Sequence, residues 1–429
     1  MNPTMATKKQ APTIAGFGTV LTGIFRKSLL AALTRLREGQ IVIVEGDERR
    51  AVGRRTAGLH ATVHVRDPRF WTAVALGGSI GAAEAWAKGY WSADDLTTVV
   101  RILARNRGVN TGLDGGAARL RGAFEKARAL LGGNTRSRSR SNIAAHYDLG
   151  NEFFESFLDE TMTYSCAVFE SDASTLAEGS RHKYDLVCRK LGLAPGREVV
   201  EIGTGWGGFA LHAARSHGCR VTTTTISPRQ HAYTVERVRE SGLQHLVDVR
   251  HLDYRDLPRV LGRRFDSVVS IEMIEAVGHR YFDTYFRTCE ELLQPGGSML
   301  VQAIVIDDGL YEEYRRGVDF IQRYIFPGGC LPSIAAVRES VRGATRLRIE
   351  DVHDITPHYA ETLRRWRASF LRNRDRIAEL GFTEEFQRLW EFYFCYCEGG
   401  FLERTIGDVQ ILFRKPPGPP VPARVGTAS

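Results

Sequence analysis

Short apolar runs alternate with helix-like stretches between residues 198 and 305, and this alternation constrains the fold more than any other feature of the chain. The runs are EVVEIG (198–203), RVTTTTI (220–226), FDSVVSI (265–271) and GSMLVQAIV (297–305), each typical of a buried strand. The stretches 209–217 and 229–241 between them have a helical pattern. This rhythm predicts βαβ units and an α/β fold with a parallel, doubly wound sheet.

Length and composition divide the chain into domains. At about 100–200 residues per domain, a chain of 429 residues should form two or three domains. The segment 132–141 (GGNTRSRSRS) has no apolar residue and is typical of a solvated linker. We therefore predict an N-terminal domain over 1–131, a second domain over 142–415 and a disordered tail over 416–429.

The N-terminal third carries most of the positive charge. Residues 1–141 contain 23 Lys and Arg against 10 Asp and Glu, and the remainder contains 35 against 40. Such a basic surface attracts polyanions, either nucleic acid or the anionic face of a membrane. Between residues 20 and 36 most apolar residues share one helical face, and Arg26 and Lys27 lie largely off it. The pattern fits either an ordinary packed helix or a helix lying on anionic lipid.

Other sequence features narrow the class of protein. No run of 18 or more apolar residues occurs, so we expect no transmembrane helix. The N-terminus lacks the pattern of a secretory signal, which makes the cytoplasm the default compartment. Seven cysteines occur without a CxxC pair, and this predicts reduced thiols rather than disulfides or a metal site.

A glycine-rich loop follows the first strand-like run. Gly203, Gly205 and Gly207 allow the backbone to turn sharply and to approach a ligand. The loop also matches the GxGxxG pattern of dinucleotide-binding proteins, which carry an acid after the second strand. This chain has only TTTIS (223–227) at that place. The missing acid argues against a nicotinamide-dependent oxidoreductase.

An ordered set of motifs surrounds this loop. The motifs are HYDLGN (146–151), TYSC (163–166), LDYRDL (252–257), IEMIEAVGH (271–279), FPGGCLP (326–332) and HYA (358–360). In order and spacing they resemble the cyclopropane fatty acid synthase family of S-adenosylmethionine-dependent lipid methyltransferases. The resemblance covers residues 142–414, and RDPRFW (66–71) and GYWSADDL (89–96) extend it into the first third. It implies a class I (Rossmann-like) methyltransferase domain with a smaller N-terminal α+β domain.

The resemblance also implies S-adenosylmethionine as the cofactor and no metal. It places around the cofactor Tyr164, Ser165, Gly203, Gly205, Gly207, Thr225, Gln230, Asp253 and Tyr254. Ribose and adenine need directional donors and acceptors, and a sulfonium cation favours electron-rich carbonyls and aromatic faces.

The reaction of the family transfers a methyl group to an acyl double bond and leaves a carbocation. The enzyme must hold the methyl group in line, stabilise the cation and remove a proton. In the family a bound bicarbonate takes the proton, and the matching positions are Cys166, Glu275, the backbone of Ile304, and Tyr393. Gln302 replaces the family's histidine and has no titratable proton. Either anion binding is weaker here, or the base is arranged differently.

Two site residues have further interpretations. Glu275 is our first choice for a catalytic role, because an acid just after a buried strand usually has a ligand, a charge partner or a proton to handle. Cys397 matches a cysteine that has been assigned a nucleophilic role in the family. A thiolate near a carbocation would trap it, so we interpret Cys397 as structural and keep the nucleophile as the alternative.

Product and partners follow from the resemblance. Proton loss can close a cyclopropane ring or leave a methylene branch, and Gln302 moves the expectation toward the branch. A methylene product would require a reductase partner. We expect an unsaturated phospholipid at the inner membrane face as substrate, rather than an acyl carrier protein, and no nucleic acid. Long family members often self-associate, so a homodimer is a further expectation.

Overall fold

The computed structural model describes residues 14–56, 58–107 and 149–418, with side chains in the first helix from Val20 onward. The chain divides into two compact units, 1–122 and 123–429. The predicted linker 132–141, the motif residues 146–148 and most of the predicted tail lie outside the described residues. Among the described helices, none is long and apolar enough to cross a bilayer.

The N-terminal unit places helices beside a small mixed sheet. Its described elements are α1 (Ile14–Leu33), β1 (Gly39–Glu45), β2 (Glu48–Arg54), β3 (His60–Val65), α2 (Arg69–Ala87), β4 (Trp91–Ala93) and α3 (Leu96–Arg105). The strand order is β2-β1-β3-β4; β1 and β3 are parallel, and the other two pairs are antiparallel. The predicted α+β character of this part is confirmed.

The sequence suggests one helix over residues 82–105, and this prediction is wrong in its middle. Helix α2 ends at Ala87, and Gly89 then adopts a φ of 72° that lets the chain turn. Strand β4 follows and pairs antiparallel with β3, with Trp91 opposite Val65. Helix α3 begins only after Asp95, whose side chain caps it. Apolar residues at helical spacing concealed this turn and short strand.

Arg26 lies on the packed side of α1. Its Nε donates to Glu45 at 2.7 Å and its Nη2 to Glu48 at 2.5 Å. The guanidinium group lies over the ring of Trp71, 5.7 Å from the centroid, and the Trp71 indole N–H also donates to Glu45. Arg26 is therefore committed to contacts within the unit.

The second unit is built on a seven-stranded sheet. Its strands are β5 (Glu198–Ile202), β6 (Arg220–Thr225), β7 (Val247–His251), β8 (Phe265–Ile271), β9 (Leu293–Ile306), β10 (Arg348–Asp354) and β11 (Ile406–Arg414). The strand order is β10-β11-β9-β8-β5-β6-β7. The five strands from β9 to β7 in that order are parallel, whereas β11 is antiparallel to β9 and to β10. The predicted doubly wound α/β fold is confirmed.

Helices surround this sheet. Those described are α4 (Asn151–Glu155), α5 (Leu176–Leu191), α6 (Gly208–His217), α7 (Pro228–Glu240), α8 (Leu257–Leu261), α9 (Phe282–Leu292), α10 (Asp308–Tyr314), α11 (Ile334–Ala344), α12 (Thr356–Arg372), α13 (Arg374–Glu379) and α14 (Glu384–Leu402). One buried cluster joins α9 to the sheet residues around Val268, and a second joins α5 and α6 to those around Val199. The sheet is thus covered by apolar side chains, as burial of parallel strands requires.

The parallel order brings several loops to one edge of the sheet. Strands β5, β6 and β8 are neighbours with the same direction, so the loops that begin at Gly203, Ile226 and Glu272 leave the same edge. Ligands of doubly wound folds bind at this edge. Helices α12 and α14 pack against each other and supply further side chains there.

A glycine pair tests the packing of the N-terminal unit. A Cβ atom at Gly81 in α2 would lie 1.9 Å from the carbonyl oxygen of Ala73, because the helix is broken at Gly78. We expect G81A to lower the free energy of unfolding by about 1–3 kcal/mol or more, from overpacking. A Cβ at Gly343 in α11 meets no atom within 4 Å, so the control G343A should be neutral or should stabilise by about 0.5–1 kcal/mol. Urea unfolding monitored by tryptophan fluorescence measures both effects, and equal midpoints would contradict the packing.

Candidate active site

The glycine loop after β5 has a backbone geometry that requires glycine. Gly203, Gly205 and Gly207 have φ values of 102°, 54° and 85°, a region that residues with a Cβ atom rarely adopt. The N–H groups of Gly203 and Thr204 both donate to the carbonyl oxygen of Thr224 at 3.0 Å, which ties the loop to β6. Gly207 is the N-cap of α6, whose first N–H groups have no partner within the helix. The loop is therefore shaped to approach a polar ligand closely.

A buried acid, Glu201, stabilises this loop through a chain of hydrogen bonds that includes two threonines. The sequence analysis did not assign it a role. Glu201 accepts a hydrogen bond from the Thr223 hydroxyl at 2.6 Å, and the hydroxyls of Thr223 and Thr204 are 2.7 Å apart. Burial raises the pKa of Glu201 to about 8. The chain of hydrogen bonds fixes Thr204, and with it the direction of the loop.

The loop after β6 presents a neutral amide in place of an acid. The Thr225 hydroxyl donates to Gln230 Oε1 at 2.8 Å, and the Gln230 N–H donates to Ser227 Oγ at 3.3 Å. Gln230 is 5% exposed and lies in the first turn of α7. The predicted pair Thr225 and Gln230 is therefore brought together.

Asp253 and Tyr254 follow β7 at the same edge. The Asp253 carboxylate accepts two parallel hydrogen bonds from Arg255, at 2.8 and 2.6 Å, and is 2% exposed. Such a bidentate pair fixes the orientation of a carboxylate. The Tyr254 ring packs against Tyr285, with 5.6 Å between centroids.

Aromatic rings form one wall of the site. The hydroxyls of Tyr164 and Tyr393 are 3.1 Å apart, which brings together two residues separated by more than half the chain. The Tyr164 ring lies 5.2 Å from Trp366, and the Phe326 ring lies 6.1 Å from Tyr164 and 6.2 Å from Tyr393. We call Tyr164, Phe326, Trp366 and Tyr393 the aromatic wall. Ring faces attract cations and do not bond to them covalently.

Glu275 is a buried acid with one oxygen held. Its Oε1 accepts the Ile304 N–H at 2.6 Å, so these two predicted site residues lie together and bond to each other directly. Its Oε2 is buried and has no hydrogen-bond partner among the described residues. Burial, and after it the charge of Glu272, raises the pKa of Glu275 to about 8. The carboxyl group can therefore exchange a proton near neutral pH.

The loop between Phe326 and Cys330 joins Glu275 to the aromatic wall. The Cys330 N–H donates to the carbonyl oxygen of Glu275 at 2.7 Å, while Phe326, four residues earlier, packs on Tyr164 and Tyr393. The main chain at Glu275 is thus connected to the aromatic wall through this loop.

Glu272 organises the polar side of the site, a role that sequence reasoning missed. Its Oε1 accepts the Cys166 N–H and the Gln302 side-chain amide, both at 2.8 Å, and its Oε2 accepts the Tyr359 hydroxyl at 2.6 Å. The residue has a φ of 47°, a strained conformation for a side chain of this size. Strain of this kind persists where the surrounding contacts determine the geometry, as the three hydrogen bonds do here.

Gln302 points toward β11. Its Nε2 donates to Glu272 and, at 3.1 Å, to Asp408, and its Oε1 accepts from Gln410 at 3.2 Å. Asp408 is fully buried, and burial raises the pKa of its carboxyl well above the usual range. The amide that replaces the family's histidine is therefore occupied within the protein.

Lys183 supplies a buried cation that the sequence did not reveal. Its Nζ donates to Ser165 Oγ at 2.6 Å, and the residue has no exposed surface. Burial lowers the pKa of the ammonium, while the charges of Glu272 and Asp408 oppose that shift. Lys183 thus orients the predicted cofactor residue Ser165 and partly balances the buried acids.

The two cysteines predicted for the site are thiols. Cys166 is fully buried, its Sγ donates to the Ala167 carbonyl at 3.1 Å, and burial raises its pKa well above the usual range. Burial, with a smaller effect from Asp319, likewise raises the pKa of Cys397. A protonated thiol is a poor nucleophile, which agrees with the structural interpretation of Cys397.

A second glycine pair tests the cofactor loop. A Cβ atom at Gly207 would lie 2.7 Å from Thr234 Cγ2, whereas a Cβ at Gly242, also at positive φ, meets no atom within 4 Å. We expect G207A to weaken S-adenosylmethionine binding about 5- to 150-fold, since relief of about 1–3 kcal/mol of strain must distort the loop. G242A should destabilise the fold by a similar strain without changing cofactor affinity. Isothermal titration calorimetry measures the S-adenosylmethionine affinity of both variants. If G207A and G242A bind the cofactor equally tightly, this loop does not bind it.

Comparison with known proteins identifies the family of the chain. The family model described as mycolic acid cyclopropane synthetase matches residues 134–411. The tuberculostearic acid methyltransferase UfaA1 of Mycobacterium tuberculosis is 41% identical over 351 residues, which are 80% of this chain and 80% of that protein. The cyclopropane-fatty-acyl-phospholipid synthase of Escherichia coli K12 is 34% identical over 360 residues, covering 83% of this chain and 88% of that protein.

Solved structures give the same result. The crystal structure of the mycolic acid cyclopropane synthase CmaA1, complexed with SAH and CTAB, has a TM-score of 0.60 and 33% sequence identity. It covers 64% of this chain and 98% of that chain. The family resemblance and the class I methyltransferase fold are confirmed. The chain belongs to the mycolic acid cyclopropane synthetase family and is an S-adenosylmethionine-dependent methyltransferase.

Proposed function

We propose that the chain transfers the methyl carbon of S-adenosylmethionine to a double bond in an unsaturated phospholipid acyl chain, and that loss of a proton closes a cyclopropane ring. The observation that carries the proposal is the buried Glu275 carboxyl, in a segment whose main chain is hydrogen-bonded to the loop that carries Phe326 of the aromatic wall. The relative named as a cyclopropane-fatty-acyl-phospholipid synthase supports the phospholipid substrate.

Different residues of the site bind the cofactor and stabilise the cation. S-adenosylmethionine supplies an electrophilic methyl carbon on a positively charged sulfur. The glycine loop and Ser165, held by Lys183, position it, while the burial of the site excludes water. Tyr164, Phe326 and Trp366 present ring faces to the positive charge that develops on the acyl chain. Their role is to stabilise the cation without capturing it.

A methylene branch is the second candidate product. The relative at 41% identity is named for tuberculostearic acid, a methyl-branched acid. In addition, Gln302 is held by β11 and is not a titratable group, so the polar side of the site differs from the family pattern. With this product, a separate reductase would be the partner that completes a methyl branch.

Bicarbonate, which the resemblance implies as the base, does not fit the donor set. Most donors that the resemblance assigns to it have an acceptor within the chain. These acceptors are Ala167 for the Cys166 thiol, Glu275 for the Ile304 N–H, and Glu272 and Asp408 for Gln302. The Tyr393 hydroxyl is paired with that of Tyr164, and either of the two can be the donor. A bound anion would have to displace several of these bonds.

Lipid analysis tests the proposed reaction. Cells expressing the chain should contain phospholipids in which unsaturated acyl chains have gained one CH2 unit, as measured by mass spectrometry. A cyclopropane product resists mild catalytic hydrogenation, whereas a methylene branch takes up hydrogen. Cells with an empty vector are the control, and unchanged acyl chains in both cultures would overturn the proposal.

We further propose that α1 docks on the anionic surface of a bilayer, from which the acyl chain must be reached. Val20 and Ile24 are 64% and 56% exposed, and Lys27 is also exposed; their spacing places all three on one face of the helix. The excess of Lys and Arg in residues 1–141 complements anionic lipid. Arg26 does not contribute, because it is bound to Glu45 and Glu48.

Vesicle binding tests this face. We expect I24E to lower partitioning onto vesicles containing anionic phospholipid at least tenfold, since burial of one such side chain contributes about 1.5–3 kcal/mol. A51E adds the same charge on an exposed position of β2 and should change partitioning much less. Added salt should weaken binding of the unaltered protein. Equal binding by the two variants, or a change in I24E confined to its state of self-association, would contradict docking on lipid.

A further inference from the structure

We infer that Glu275 Oε2 itself accepts the proton from the transferred methyl carbon, with no bicarbonate ion between them. This inference rests on the proposed methylation of an acyl double bond. It makes Glu275 the base, where the resemblance makes it a ligand of the base.

The first support is an acceptor without a donor. Glu275 Oε1 is anchored by the Ile304 N–H at 2.6 Å, so the orientation of the carboxyl group is set. Its Oε2 is buried and has no hydrogen-bond partner among the described residues. Buried polar atoms are nearly always paired, and an exception usually marks a place where a ligand or a proton is handled.

The second support is the charge around the site. The charge of Glu272 raises the free energy of a further negative charge at this place, and it raises the pKa of both Glu275 and Asp408. Lys183 opposes the charge of Glu272 and Asp408, but its Nζ is bound to Ser165. An additional anion such as bicarbonate would enter beside these acids and would compete with them for the Ile304 N–H and the Gln302 amide.

The step balances without another reactant. The alkene electron pair forms the new carbon–carbon bond to the methyl carbon, and the carbon–sulfur pair remains on sulfur, giving S-adenosylhomocysteine. Glu275 Oε2 then forms a bond to a proton of the methyl-derived carbon. The released C–H electron pair closes the ring on the cationic carbon. For a methylene product, a hydrogen of the methyl-bearing carbon first migrates with its bonding electron pair to the cationic carbon. The positive charge then lies on the methyl-bearing carbon, and the C–H pair released from the methyl group forms the double bond there.

Glu275 is also basic enough for this task. Burial and the charge of Glu272 raise its pKa to about 8, close to the pH at which such an enzyme works. The other titratable groups that interact with it are Asp408 on β11 and Tyr285 on α9. Only the ionised carboxylate accepts a proton, so log kcat should rise with pH and level off above about 8.

The decisive assay follows methyl transfer to phospholipid vesicles in buffer stripped of carbon dioxide. We expect the unaltered protein to turn over at the same rate, within about twofold, with and without added bicarbonate. E275Q should lose about 10²–10⁴-fold in kcat, the usual contribution of a positioned base. Its affinity for S-adenosylmethionine, measured by calorimetry, should remain within about threefold, which also shows that it is folded.

Matched variants sharpen the result. E240Q changes the same side chain at an exposed position of α7 and should leave kcat unchanged. E275D keeps a carboxylate and should retain more activity than E275Q. A rate that falls when bicarbonate is removed and returns when it is added would overturn the inference, as would full activity of E275Q. If the unaltered protein forms no methylated lipid in either buffer, the proposed function fails, and this outcome is distinct from a bicarbonate requirement.

Discussion

Acidic side chains buried in one small region impose the main physical constraint on this site. Glu272, Glu275 and Asp408 interact through space, and each carboxylate is costly to remove from water. Three hydrogen bonds stabilise Glu272, and Lys183 partly balances the charge. Glu275 Oε1 accepts the Ile304 N–H, whereas its Oε2 has no hydrogen-bond partner among the described residues. Among the described residues, Glu272 is thus fixed by its partners, whereas Glu275 Oε2 and Asp408 Oδ1 have none. Glu275 Oε2 is the oxygen to which we assign the chemistry.

The fold creates this contrast by joining segments that are distant in sequence. Glu272 and Glu275 leave the carboxyl end of β8, Gln302 lies on β9, and Asp408 lies on β11. Because β11 runs antiparallel beside β9, Gln410 faces Gln302 across the pair. The polar side of the site is therefore built into the sheet, while helices α12 and α14 add aromatic rings. Rigid strands hold the acids, and the ring faces border the region where a cation would form.

The sequence predicts features with a local pattern and misses those that depend on distant contacts. The strands β5, β6, β8 and β9 and the glycine loop follow from apolar runs and from residues 203–207. Strands β7 and β10 lie at the ends of the sheet and carry charged residues, so they lack an apolar run. The sequence did not reveal Glu272 and Lys183 as site residues. Their hydrogen bonds to Gln302 and Ser165 join distant positions of the chain and are known only from the folded structure. The replacement of histidine by Gln302 was visible, but its orientation toward β11 was not.

Labelled cofactor provides the most direct measurement of the chemistry. The protein would be incubated with S-adenosylmethionine carrying a CD3 group and with unsaturated phospholipid vesicles, and the acyl chains would be analysed by mass spectrometry. Transfer to the double bond with proton loss from the delivered carbon adds a CD2 unit to each modified chain. A CD3 group retained in the product would show that the proton leaves from elsewhere, and acyl chains without deuterium would show that no such transfer occurs.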